Sequence, residues 1–264
     1  MDVEADGHGL HAGRGEPHPP GLPQPGQFLA SLGCPVYALD RRGSGMSREL
    51  RGHCSDFREM VADISFVCEY VMNRHRVAKV HVVGHCFGAI PACVFACQYP
   101  DKVETLVLTT PGIYTHSDLS LWQKLSIFLW KIEGRVCYIP VPLDVDEFSD
   151  LEPYRRFIRE DPLAVTAATS EFYFEVHRAR LFLKANIDKL TMPILMALAA
   201  KDRISDNDGN MRFFMALPSQ QKRLLMYADA IHILEFSHER EAFFADLADW
   251  IRYAGASSGR TFSP

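Results

Sequence analysis

Three features of the sequence predict an α/β fold with a mostly parallel central sheet and a helical cap inserted into it. Short β-branched or apolar runs at 80–83, 103–108, 193–200 and 223–227 alternate with segments of helical periodicity. The run Val80-His81-Val82-Val83 enters the tight turn Gly84-His85-Cys86-Phe87-Gly88 and leaves into the helix-compatible stretch Ala89 to Gln98. Between Pro111 and Leu190 the rhythm breaks into an aromatic-rich helical pattern.

Bulk composition removes several classes of function. A chain of 264 residues with 47% hydrophobic content can bury a large core. The net charge is −5 and the basic residues are scattered, so there is no footprint for nucleic acid. No apolar run approaches the ~20 residues needed to cross a bilayer, and Met1-Asp2-Val3-Glu4 does not open a signal peptide. A soluble, cytoplasmic chain is expected; its oligomeric state is not legible. Seven cysteines, an odd number set mostly in apolar periodic segments, argue against a disulfide framework. Cys93 and Cys97 share a helix face but lack two further ligands nearby, so core packing is expected, with no metal and no cofactor.

Taken in order, residues 1–26 are rich in Gly and Pro and nearly devoid of large apolar residues, which predicts a disordered leader. The main domain is expected over 27–253. Phe28 to Leu32 reads as the end of a helix stopped by Gly33, and Pro35 to Leu39 as a short buried strand. A polar loop with two glycines follows, Asp40-Arg41-Arg42-Gly43-Ser44-Gly45-Met46-Ser47, at a strand end where α/β sheets place their sites. Phe57, Met60, Val61, Ile64, Val67, Cys68 and Val71 recur at three and four, predicting an amphipathic helix from about Ser55 to Asn73. The cap is expected at about 112–190; the apolar patch carrying Trp122, Leu125 and Leu129 is its candidate substrate-binding surface. A closing helix from about Glu239 to Tyr253 and a polar tail over 254–264 complete the chain.

The turn at Cys86 has the pattern of a nucleophile elbow with cysteine where serine is usual. Gly84 and Gly88 are the positions where side chains would collide with the neighbouring strand and helix. A helix N-terminus favours thiolate, and the Phe87 amide is placed to receive an oxyanion. A buried cysteine on an ordinary glycine turn fits the same five residues, so the later positions carry weight. Asp202 follows one strand and His232 follows the last, giving the chain order nucleophile, acid, base. Asp206 and Asp208 compete for the acid's role, and His238 for the base's; His85 is a candidate for contact with the site, and His81 is expected to be packed.

With these residues in place, the chain from about Gln27 to Tyr253 resembles the α/β-hydrolases of the monoacylglycerol lipase and lysophospholipase type, the serine aminopeptidase group. The resemblance implies an acyl hydrolase in which Cys86 attacks a lipophilic ester, thioester or lactone, His232 moves the proton, Asp202 orients the imidazole and the Phe87 N–H holds the oxyanion. Acyl transfer through the same thioester, or a non-catalytic protein of this fold, are the alternatives. In the family, N-terminal strands precede an oxyanion loop beginning His-Gly. Here His8-Gly9-Leu10 follows no strand, and Pro35 to Leu39 corresponds to the family's fourth, so a chain lacking the first three strands is expected.

Overall fold

The computed structural model describes residues 25–47, 50–116 and 119–257. In order, these contain α1 (Pro25–Ser31), α2 (Phe57–His75), β1 (Val80–His85), α3 (Ala89–Gln98), β2 (Val103–Thr109), α4 (Leu121–Ile132) and β3 (Tyr138–Pro140). There follow α5 (Glu152–Glu160), β4 (Ala167–Thr169), α6 (Ser170–Ala185), β5 (Ile194–Ala199), α7 (Asn207–Ala216), β6 (Lys222–Tyr227) and α8 (Arg240–Ser257). The described strands of the main sheet run β1-β2-β5-β6, every pair parallel. Parallel neighbours require crossovers, which the helices supply.

Alternate strand residues feed two cores, as a period of two demands. Leu106, Leu108, Ile194 and Met196 pack with α2, α3 and α6, while Val107, Leu195 and Ala197 pack with α8 and Leu29 of α1. All six residues of β5 are buried, which explains its unbroken apolar sequence. α3 is buried along nearly its whole length, so it has no polar face to present. Because the strands are parallel, their C-terminal ends share one edge. That edge carries Cys86 after β1, Thr110 after β2, Asp202 after β5 and His232 after β6.

The cap comprises α4, α5, α6 and the antiparallel pair β3–β4. It is not a separate body: Phe172, Val176, Ala179 and Leu183 of α6 belong to the same core as α2 and α3. A second tie comes from the glycine loop. Gly52 adopts φ +69 and lies so close to the cap that an added Cβ would stand 2.2 Å from the Ala167 carbonyl oxygen. The Thr169 amide also donates to the Gly52 carbonyl at 2.9 Å.

Several expectations need correction. Pro35–Leu39 is not a strand: among the described residues β1 has only β2 beside it, so the segment has no partner with which to form a ladder. Of the leader expected at 1–26, residues 1–24 lie outside the described residues, but Pro25 and Gly26 begin α1. Missing N-terminal strands are likewise a matter for residues outside those described. The tail expected from 254 starts later, because α8 continues to Ser257. α2 starts at Phe57, where Asp56 caps it by accepting from the Arg58 amide, and ends at His75. No helix among the described residues is long and apolar enough to cross a membrane.

Candidate active site

Cys86 follows β1 directly, in a single 3-10 turn (Cys86–Gly88) that runs into α3. Its φ is 44°, in the left-handed region that a residue with a side chain occupies only at a cost of about 1–3 kcal/mol. Surrounding packing holds it there. A Cβ on Gly84 would stand 2.8 Å from Ala89 Cα, so the glycine lets strand and helix meet. Gly88, by contrast, has φ −59° and ψ −19°, an ordinary helical conformation.

Gly112 supports the turn from the other side, and sequence reasoning missed it. Its amide donates to the Cys86 carbonyl at 2.8 Å. A Cβ there would meet the Cys86 carbonyl carbon at 3.1 Å and the Phe87 nitrogen at 3.2 Å. The signal available was a Pro-Gly pair just after a strand. Arg180 fixes the same turn by donating from Nη2 to the Gly112 carbonyl at 2.9 Å.

His232 and Asp202 meet at this edge with both side chains wholly buried. His232 Nδ1 lies 2.9 and 2.8 Å from the two Asp202 carboxylate oxygens. Asp202 Oδ1 also accepts from the Ile204 and Ser205 amides at 2.8 and 2.9 Å, which fixes the carboxylate before it meets the ring. His232 lies close enough to Cys86 for charge on the sulfur to bear on the imidazole. The hydrogen-bonded Asp202–His232 pair therefore stands beside the turn that carries the thiol.

The charges follow from the surroundings. Burial alone would lower the His232 pKa. The influence of Cys86 and the hydrogen bonds and charge of Asp202 outweigh it and raise the pKa to about 10. His85, whose ring centroid is 5.8 Å from that of His232, goes the other way: burial and the neighbouring imidazolium push it well below the usual histidine range. Its Nδ1 lies 2.7 Å from Thr109 Oγ1. One histidine is thus held charged beside another held neutral. Glu235, just past the base, is pushed up to about 7 by burial, against its own backbone hydrogen bond and the charge of His232.

The competing residues lie elsewhere in function. Asp206 caps α7, accepting from the Gly209 amide at 3.0 Å, and Asp208 is exposed on that helix's first turn. His238 is 68% exposed and 3.9 Å from Asp150. His81 bridges β1 and β2 through Thr105 Oγ1 at 2.9 Å. Trp122, Leu125 and Leu129 stand exposed on α4, at 78, 46 and 48%, rather than buried around the thiol. The aromatic rings that do reach the site are Phe172, 5.1 Å from Phe87, and Phe148, set edge-on to His232 at 5.9 Å. Among the described residues no group of His, Cys, Asp and Glu is arranged to hold a metal ion.

A parallel sheet with a strained residue on a strand-to-helix turn, and an acid–histidine pair at the ends of later strands, defines an α/β hydrolase. The chain belongs to the family described as serine aminopeptidase, S33, whose model matches residues 13–240. Among curated proteins it is 26% identical to the monoacylglycerol lipase of Mycolicibacterium smegmatis, over 94% of this chain and 86% of that protein. It is 24% identical to human monoglyceride lipase, over 98% of this chain and 84% of the relative. Among solved structures, the monoacylglycerol lipase of Paleococcus ferrophilus superposes with a TM-score of 0.81 at 23% identity, covering 96% of this chain and 93% of that one. A soluble variant of the Saccharomyces cerevisiae monoglyceride lipase gives 0.69 at 20% identity, over 81 and 76% of the two chains.

Proposed function

We propose that this protein hydrolyses lipophilic carboxylic esters through a covalent thioester on Cys86. The observation that carries the reading is a cysteine at φ 44° on a strand-to-helix turn, within electrostatic reach of a histidine that is itself clamped by Asp202. The names of the relatives, monoacylglycerol and monoglyceride lipases, support a lipid ester as substrate. In this reading the Cys86 sulfur, carrying negative charge beside protonated His232, attacks the acyl carbonyl. The Phe87 amide, at the start of a helical turn where N–H groups lack intrahelical partners, donates to the oxyanion. His232 then gives its proton to the departing alkoxide. Neutral again, it takes a proton from water, which cleaves the thioester and restores the sulfur.

A thioester intermediate also passes its acyl group to an amine or alcohol, so acyl transfer is the second outcome of the same chemistry. All seven cysteines are free thiols, which supports a reducing, cytoplasmic setting. The test is intact-mass analysis after brief exposure to p-nitrophenyl butyrate, with Cys86→Ala alongside. A single butyryl adduct on the wild type and none on the variant is expected. An adduct that survives in the variant, or none in folded wild-type protein, overturns the reading; the second result returns the chain to a binding role. Added amine that diverts the acyl group from water identifies transfer.

A further inference from the structure

The loop ahead of α2 holds two adjacent arginines with opposite surroundings. Arg42 is neutralised twice: Nη1 meets Glu59 at 2.8 Å, and Nε and Nη2 grip Asp63 at 2.8 and 2.9 Å. Among the described residues Arg41 has no such partner. Its Nε and Nη1 are buried and make no hydrogen bond there. Its guanidinium lies 4.9 Å from the ring centroid of Phe87, the residue after the nucleophile, and 5.4 Å from that of Phe172 on the cap. The nearest ionisable groups that bear on it are the thiols of Cys54 and Cys86. Burial pushes the Cys54 thiol up to about 12, so at neutral pH it supplies no counter-charge, and charge on the Cys86 sulfur, which bears on Arg41 as well, is already matched by His232.

A half-buried guanidinium with two buried donors unused is an expensive arrangement unless an anion completes it. The rings of Phe87 and Phe172 attract the cation but cannot accept its N–H groups in the manner of a carboxylate. The position is also specific: the ring beneath it belongs to the residue whose amide starts the elbow turn. We propose that Arg41 is a specificity-determining residue for the acyl group, and that the preferred ester carries a carboxylate on its acyl portion. A single half-buried cation matches a single negative charge. An acyl carboxylate would also stay beside Arg41 through both half-reactions, because the acyl group remains on Cys86 between them. This inference rests on Cys86 being the nucleophile.

Two measurements test it. The first compares kcat/KM for the monomethyl and dimethyl esters of succinate, glutarate and adipate, in wild type, Arg41→Met and Arg41→Lys. For at least one chain length the wild type should favour the monomethyl ester. Arg41→Met should lower the monomethyl-to-dimethyl ratio about 10- to 100-fold, the worth of a charge-assisted hydrogen bond. Arg41→Lys, which keeps the charge, should retain part of the preference. A ratio unchanged by Arg41→Met overturns the proposal, as does a general loss shared equally by both esters. The second measurement is calorimetric binding of the same pairs to Cys86→Ala with and without Arg41→Met, in which Kd should show the same shift in ratio. If the wild type turned over neither ester, the hydrolase reading would fail, whereas the binding ratio would still decide the role of Arg41. Melting curves of both arginine variants establish that each is folded.

Discussion

At the scale of the residue, the proposed chemistry turns on the influence that Cys86 and His232 have on each other. With the imidazole pKa raised to about 10, the protonated ring persists across neutral pH, and the alkaline limb of kcat/KM should lie near pH 10 rather than near 6.5. Replacing sulfur by oxygen inverts this logic. In Cys86→Ser the thiolate's contribution is gone, burial pulls the ring down, and the hydroxyl needs neutral His232 as a base. The variant's rate should therefore climb with pH through the lowered pKa of its imidazole and then level off, while the wild type's stays nearly level until its own alkaline limb near pH 10. Profiles with p-nitrophenyl butyrate check both; a variant whose profile overlies the wild type's would show that sulfur does not set the imidazole's charge. Cys86, His232 and Asp202 were candidates in the sequence because each follows an apolar strand run, and the structure brings Asp202 and His232 into hydrogen-bond contact at the strand ends. Gly112 was not, because what it does depends on a turn from a different strand folding against it.

At the scale of the element, the elbow works because β1 and α3 approach too closely for any side chain at Gly84. Gly84→Ala pushes a methyl group against helix backbone, and overpacking of this kind costs about 1–3 kcal/mol. Melting should fall by several degrees, with activity lost more steeply than stability because the thiol moves with the turn. An unchanged melting temperature would mean that strand and helix can separate freely. The elements read correctly from sequence were those with one strong pattern: α2 by its three-and-four spacing, β5 by a continuous apolar run and β2 by apolar residues on either side of Glu104 and Thr105. α7 was missed because Asp206-Asn207-Asp208-Gly209-Asn210 looks like a loop, although Asp206 is a cap and Asn210 is buried, donating to the Pro111 carbonyl at 2.9 Å. β3 and β4 are three residues each, too short for any period to show.

At the scale of the molecule, cap and sheet share one core, so they should unfold together. Leu183 on α6 is 1% exposed within the same cluster as Phe95 of α3 and Leu106 of β2. Leu183→Ala should cost about 2–5 kcal/mol and lower a single calorimetric transition. Two transitions, with only one displaced, would show the cap to be an independent unit. Packing of the aromatic-rich stretch against the main domain was legible in its sequence, but which helices meet in the shared core was not, because periodicity marks a buried face and not its partner.

The cap also grips the base. The Ile233 amide donates to the Phe148 carbonyl at 3.0 Å, Ser149 Oγ donates to the Phe236 carbonyl at 2.7 Å, and Tyr154 stacks on Phe236 at 4.2 Å. Residues 148–154 of the cap are thus fastened to the loop that carries His232. The imidazole is braced from two sides, by the carboxylate of the sheet edge and by the underside of the cap, so a change that loosened Tyr154 would be felt at His232.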